Sequence, residues 1–242
     1  MPLRPERISV DWDGALSILG CDFPIKDTYR AFLGSSLRPE LFVDVGGNLG
    51  THSLLFLVHG VDTLTFEPND ECHAYLAEFC RMNGVTPTLE TVALGATEGE
   101  IELCYPVDQS WLGTTDAATR GHLEAKFPLK RKTVRLARLD DYLRHEERRM
   151  LIKIDTEGNE SSVLKGAEET LRDARPTVIF ESNDPSRRAE LSGQFKSLGY
   201  EIAELPCSPI QSPRVIDEAT FVRHGSNNFI ALPCTGEQDE PE

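Results

Sequence analysis

The chain has 242 residues, a formal net charge of −15 and 39% hydrophobic residues, which suits one α/β domain with a single core. Its acidic field repels phosphate backbones, so nucleic acid is excluded as a partner, while a cationic cofactor is tolerated. Neither a signal sequence nor a membrane-length apolar run is seen, and the six cysteines and six histidines lack metal-ligand spacing, so a reduced, cytoplasmic protein with no membrane contact and no metal is expected.

Residues 1–40 precede the first clear strand and are expected to cap the site, with Trp12 and Tyr29 as aromatic candidates for an acceptor wall. Leu41 to Val45 is a short, apolar, β-branched strand. Gly46, Gly47, Asn48 and Gly50 form a tight turn, and Leu49 with Leu54 to Val58 supplies the buried face of a helix. Asp62 to Phe66 is a second strand, ending at Glu67-Pro68-Asn69. A helix is predicted from Glu71 to Met82, stopped by Asn83-Gly84. Leu89 to Leu94 reads as one strand, and Glu100 to Tyr105 as an alternating, half-exposed one. Residues 106–121 form a polar loop that carries Trp111, another candidate for the acceptor wall. The basic run Lys126 to Arg138 reads as a solvated hairpin, with a patch for an anionic acceptor or a carrier protein as the functional alternative. Its strand is Thr133 to Leu139.

A short charged helix begins at Asp140. The buried strand Met150 to Ile154 runs into Asp155-Thr156-Glu157-Gly158, and one helix follows to about Asp173. A strand from Thr177 ends at Glu181, residues 186–198 are helical, Gly199 precedes a strand to Leu205, and the last strand runs from Asn228 to Leu232. Such alternation predicts a mostly parallel sheet with helices on both faces. One domain spans 41–235, and the acidic segment 236–242 is expected to be a disordered tail.

The turn after the first strand lets the backbone approach a ligand, because glycine lacks a Cβ and asparagine tolerates a left-handed conformation. Its pattern is D-x-G-x-N-x-G from Asp44. The dinucleotide fingerprint G-x-G-x-x-G would place its first glycine at Val45. Without a pyrophosphate to cradle, an asparagine can replace a glycine, which favours S-adenosyl-L-methionine (SAM) over NAD. Glu67, at the end of the second strand, can accept hydrogen bonds from both ribose hydroxyls. Four strand ends should converge beyond the sheet: Asp44 with Gly46, Glu67, Asp155 with Glu157, and Glu181 with Asn183.

The stretches VDVGGNLGTHSL (43–54), FEPN (66–69), LDDYL (139–143), IKIDTEGNESSVLKGAEETL (152–171) and PTVIFE (176–181) resemble the FkbM-type SAM-dependent methyltransferases over about residues 40–185. Gly47 stands where that family usually has alanine, and the match fades after 185. The resemblance implies a Rossmann-like class I methyltransferase fold with a seven-stranded, mostly parallel sheet. It implies methyl transfer from SAM, usually to oxygen, on small molecules, sugars or secondary metabolites. Carried onto this chain, Asp44, Gly46, Asn48, Gly50 and Thr51 would shape the methionine end of the cofactor site. Glu67 and Pro68 would hold the ribose, Ala93 and Leu94 would border the adenine, and Asp155 would lie near the amino group and the methyl.

Displacement at a methyl carbon needs alignment, which can supply roughly 7–11 kcal/mol, and a base for an alcohol acceptor. His52, Asp155, Glu157 and Glu181 are the candidates, with Asp155 or Glu157 preferred and His52 read as a structural or cofactor neighbour. Lys153 points away from the apolar face, to pair with an acid or to bury only its stem. A carboxylate or nitrogen acceptor, a non-catalytic SAM-binding relative, an NAD-dependent oxidoreductase and a homo-oligomer are the open alternatives.

Overall fold

A computed structural model describes residues 22–234. Helix α1 (Phe23–Leu33) leads into strand β1 (Leu41–Val45), helix α2 (Thr51–Leu57), β2 (Asp62–Phe66), α3 (Asp70–Asn83) and β3 (Thr88–Glu90). Next come β4 (Ala93–Leu94), β5 (Gly99–Pro106), α4 (Ala117–Glu124), β6 (Leu129–Ala137) and α5 (Asp140–Leu143). The second half holds β7 (Met150–Ile154), α6 (Glu160–Lys165), α7 (Glu168–Asp173), β8 (Thr177–Glu181), α8 (Arg188–Ser197), β9 (Tyr200–Glu204), α9 (Glu218–Arg223) and β10 (Asn228–Pro233).

The main sheet has seven strands in the order β3-β2-β1-β7-β8-β10-β9. The pairs from β3 to β8 are parallel, and β10 runs antiparallel between β8 and β9. Two-residue alternation splits the core between the faces. Val43, Ile152, Phe180 and Phe229 pack on one side, with residues of α6, α7, α8 and α9. Phe42, Leu151, Ile179 and Ile230 pack on the other, with α1, α2 and α3. Strands covered on both faces are buried along their whole length, as β1 and β7 are, with Asp44 and Lys153 the polar exceptions in otherwise apolar runs. The expected parallel sheet with helices on both sides is therefore the observed architecture.

Several elements differ from expectation. The single strand foreseen at Leu89 to Leu94 is two, β3 in the main sheet and β4 in a separate three-stranded sheet of order β4-β6-β5. The β6 strand starts earlier than predicted, at Leu129, and pairs along the whole of β5. The burial of β5 does not alternate; its first half is largely exposed and its second half buried. The loop at 106–121 gives way to α4 at Ala117, where the Asp116 side chain caps the Thr119 N–H. The helix expected to run to Asp173 breaks at Gly166-Ala167. A Cβ on Gly166 would lie 2.0 Å from the Gly95 carbonyl oxygen, so this motif glycine permits a close backbone approach. Helix α1 went unread in the sequence, yet it buries Ile25, Tyr29, Phe32 and Leu33. Trp12 and the acidic segment 236–242 lie outside the described residues.

Arg188 anchors the second half of the sheet. It is 1% exposed and donates to the carbonyls of Phe221 (3.1 Å), His224 (2.6 Å), Ser182 (2.8 Å) and Ser226 (2.7 Å). Its guanidinium also lies over the Phe221 and Phe229 rings. Arg188→Met should lower stability by about 3–5 kcal/mol, because it orphans buried carbonyls. Urea unfolding would read this as a lower midpoint at unchanged slope, whereas a loss below about 1 kcal/mol would mean that water satisfies them.

Candidate active site

The ends of β1, β2, β4 and β7 border one cavity of about 510 Å3. The turn after β1 is tied to the end of β2 by Gly46 and Gly47 N–H groups donating to the Phe66 carbonyl at 2.9 and 3.0 Å. Gly46 has φ 79°, and a Cβ there would lie 1.8 Å from the Asp155 carbonyl oxygen. Only glycine fits where β1 and β7 release their chains side by side. Asn48 follows with φ 50°. Its N–H donates to one Glu67 carboxylate oxygen at 2.8 Å, and the Asn69 N–H donates to the other at 2.7 Å. Burial pushes Glu67 up to about 7 despite these bonds. It lines the cavity near Pro68, Val92, Ala93, Leu94 and Leu103.

Beneath the turn lies a polar core. Asp44 is fully buried and accepts from Ser53 Oγ at 2.7 Å, and Ser53 Oγ lies 2.7 Å from Thr65 Oγ1. Lys153 is 3% exposed, and its Nζ donates to Asp155 at 2.8 Å. Burial works against the lysine charge, but the Asp155 and Asp44 carboxylates overcome it and hold the ammonium above its ordinary value. Burial likewise pushes Asp155 up, and the charge and hydrogen bond of Lys153, with a hydrogen bond from Glu181, more than reverse it. Glu181 goes the other way. Burial and the Asp155 and Glu157 charges raise it well above the carboxylate range, so it holds a proton at neutral pH.

The segment Asp155 to Glu160 forms a tight turn in which Glu157 has φ 52°. Glu160 closes it from within, accepting from Thr156 N at 3.1 Å, Thr156 Oγ1 at 3.0 Å and Gly158 N at 3.1 Å. Glu160, the third acid of the D-x-E-G-x-E run 155–160, is thus a brace. Glu157 lines the cavity. Burial, then the Asp155 and Glu160 charges, raise it to about 7. Opposite, His52 is held neutral by burial, with its Nδ1 3.1 Å from the Tyr29 hydroxyl.

The loop after β5 walls the cavity. Asn48 Nδ2 donates to the Trp111 carbonyl at 3.2 Å, and Asn69 Nδ2 donates to the Ser110 carbonyl at 2.9 Å. Trp111, Gly113 and Thr115 line the space, and Thr114 Oγ1 donates to the Glu157 carbonyl at 2.8 Å.

The sequence candidates separate into two groups. Gly46, Asn48, Thr51, Glu67, Pro68, Ala93, Leu94, Asp155 and Glu157 line the cavity, with His52 and Trp111. Asp44, Gly50, Glu181, Asn183 and Tyr29 are not among the lining residues. Asp44 faces Ser53 below the turn, and Gly50 packs on Leu76 at the start of α2. Glu181 sits behind Asp155, where Asn183 Nδ2 donates to it at 2.5 Å. Lys153 is buried to its tip, not only along its stem. Four residues of the basic run are ion-paired: Lys130 with Glu71, Lys132 with Asp70, Arg131 with Glu102 and Glu124, and Arg138 with Asp140. Asp22, Asn159 and the lining residues of the wall loop other than Trp111 are not among the sequence candidates. Asp116 carried a helix-cap signal, but the others are brought in by contacts remote in sequence.

A family model described as "Methyltransferase FkbM domain" matches residues 44–202. The chain belongs to the FkbM methyltransferase family. This methyltransferase is 26% identical over 184 residues to "Hexuronic acid methyltransferase AglP" of Haloferax volcanii, covering 74% of this chain and 72% of that protein. It is 28% identical over 189 residues to "Methyltransferase sdnD" of Sordaria araneosa, covering 66% of this chain and 73% of that one. The crystal structure of Methyltransferase FkbM from Methylobacillus flagellatus KT shares the fold, with a TM-score of 0.51 at 17% identity. The match covers 94% of this chain and 56% of that protein. Among the described residues, no helix is long and apolar enough to cross a membrane.

Asp155, Glu157 and Glu181 bring carboxylate oxygens within 4.8 Å of one another, a grouping that no His or Cys pattern announces. The Lys153 ammonium already supplies this cluster with a cation. Lys153→Met should therefore destabilise the methyltransferase by about 3–5 kcal/mol at pH 7.5 by leaving Asp155 uncompensated. The depressed Asp155 contributes stability above its ordinary value, and that contribution is lost as pH falls through its folded value. In Lys153→Met burial acts on Asp155 without its cation and pushes it up, so the variant sheds the uncompensated charge by protonating at a pH where the intact pair still holds, and the deficit should shrink toward pH 4. Urea unfolding at both pH values checks this, and a deficit constant with pH would refute it.

Proposed function

We propose that this methyltransferase uses S-adenosyl-L-methionine to methylate a hydroxyl oxygen of a small polyhydroxylated molecule, with Glu157 as general base. The carrying observation is the division of labour among the carboxyls of the cavity. Asp155 is tied to Lys153 and held below its ordinary value, and Glu181 is protonated behind it. Glu157 stands at the cavity wall near 7, where a base works best at neutral pH.

The residues fit the cofactor. The Glu67 oxygens each receive one backbone N–H and keep lone pairs for a ribose diol. Pro68, Val92, Ala93, Leu94 and Leu103 offer an apolar slot for a base, and Asp155 offers a carboxylate to an ammonium. When bound, the cofactor supplies an electrophilic methyl group on a sulfonium. The wall loop and the turn after β1 would exclude water and align the acceptor. Glu157 would take the hydroxyl proton as the oxygen attacks.

The acceptor class follows from charge. Among the described lining residues the acids are Asp22, Glu67, Asp155 and Glu157, and the lysine is committed to Asp155. An acceptor carboxylate would meet like charge with no free cation, whereas sugar-like hydroxyls could donate to these acids. The name of the Haloferax relative supports a sugar-derived acceptor, and because a hexuronic acid carries a carboxylate it supports the sugar class alone and not the absence of an acid group. The pairing of Lys130, Arg131, Lys132 and Arg138 with acids weakens the basic run as a patch for an anionic acceptor. Free cysteines in the fold suit a cytoplasmic setting.

Isothermal titration should show SAM and S-adenosylhomocysteine binding, weakened about 100-fold by Glu67→Ala. Silence with both, or binding of NADH instead, would sink this reading.

Glu157→Gln should lower kcat by about 10²–10⁴-fold with S-adenosylhomocysteine affinity retained. In the unsubstituted enzyme kcat should rise with pH through about 7, because only the ionised carboxylate accepts a proton. Full activity in Glu157→Gln would remove it as the base.

A further inference from the structure

Glu157 holds a left-handed conformation, φ 52°, that a residue with a Cβ adopts at a cost of order 1–3 kcal/mol. Such a conformation persists only where its surroundings enforce it. Two contacts from distant segments act on the backbone here. Thr114 Oγ1 donates to the Glu157 carbonyl at 2.8 Å, and Arg187 Nη1 donates to the next carbonyl, that of Gly158, at 2.5 Å. The same guanidinium reaches both oxygens of Asp116 through Nη2, at 2.9 and 3.1 Å. Asp116 in turn caps α4 through Thr119 N at 2.8 Å, and its own N–H donates to Thr114 Oγ1 at 3.0 Å. The loop that walls the cavity, the short helix after it and the turn bearing Glu157 are thus joined through one arginine.

We infer that Arg187 and Asp116 form a clamp that holds the Glu157 turn in its left-handed form and keeps its carboxylate at the cavity wall. Arg187 is a positioning residue and meets no acceptor itself. The inference rests on the reading of Glu157 as the base. The guanidinium fork suits the task, because one end can hold a carbonyl while the other holds a carboxylate. The charged groups facing Glu157 are Lys153 and Asp155 on and after β7, Glu160 at the start of α6, and Glu181 at the end of β8. Arg187 and Asp116 face its backbone. Burial is the main reason Glu157 stands near 7. Releasing the turn to solvent would lower that value, whereas deleting the arginine charge alone would raise it. The two effects have opposite signs, which makes the clamp testable.

The experiment is a carboxyl ¹³C NMR titration of the full chain labelled in glutamate, with Glu157 assigned by Glu157→Gln. The midpoint of Glu157 should lie near 7 in the unsubstituted protein. It should fall by about one pH unit or more in Arg187→Ala and by less in Arg187→Lys. The Glu67 midpoint and S-adenosylhomocysteine affinity should stay put, which shows that the fold is intact. Asp116→Asn keeps a helix-capping side chain while removing the ion pair, so it reads the same release should Arg187→Ala fail to fold. An unmoved or raised Glu157 midpoint in the folded variants overturns the clamp and leaves Glu157 as the base. A midpoint near the ordinary glutamate value in the unsubstituted protein overturns the base reading and the clamp with it.

Discussion

The site depends on one buried ammonium. Lys153 occupies the centre of the sheet, on β7 beside β1, with its charge enclosed. A lone charge there would be costly, so carboxylates must stand close by. Asp155 supplies the direct partner at 2.8 Å, and Asp44 contributes from the neighbouring strand. Once Asp155 is ionised and held, Glu181 cannot also ionise beside it, and Glu157 is pushed toward neutrality. Lys153 thereby fixes Asp155 as the anion, while burial and the Asp155 charge keep Glu181 as an acid and leave Glu157 free to titrate.

Geometry follows the same logic. The Asp155 backbone N–H continues the β1–β7 ladder by donating to the Val45 carbonyl at 2.9 Å, which brings the two turns against each other. Gly46 has no room for a side chain because Asp155 passes so near. Glu160 then folds the chain back, and Glu157 is left at the wall. The D-x-E-G-x-E motif thus encodes an ion-pair partner, a candidate base and a brace, each tied to a distinct contact.

The sheet strands and the first turn were legible in the sequence because their signals are local: apolar runs, a glycine cluster and strand-end acids. Glu67, Asp155 and Glu157 could be named for that reason. What escaped was set by contacts between remote segments. No periodicity announces that Arg187 will reach Asp116, 71 residues away. The split between β3 and β4 depends on which sheet each piece joins: β3 pairs with Leu64 to Phe66 of β2, and β4 with Leu136 and Ala137 of β6. Asp44 and Glu181 do not line the cavity, because a strand-end acid can point into a cavity, under a turn or behind a neighbour. Helix α1 falls within residues 1–40, where only a cap is expected, although Ile25, Tyr29, Phe32 and Leu33 carry a helical stripe.

Two carboxyls in this cavity, Glu67 and Glu157, stand near 7 chiefly because they are buried. Each is easier to keep in the folded state as an acid than as an anion. Protonation below neutrality therefore relieves the fold at both positions, down to the acid range where Asp155 begins to lose its pairing with Lys153. The same protonation removes the acceptor of the hydroxyl proton. Between those limits tolerance and turnover pull in opposite directions: the molecule is most at ease where its base is disarmed, and its working form at neutral pH is a strained one maintained by the surrounding scaffold.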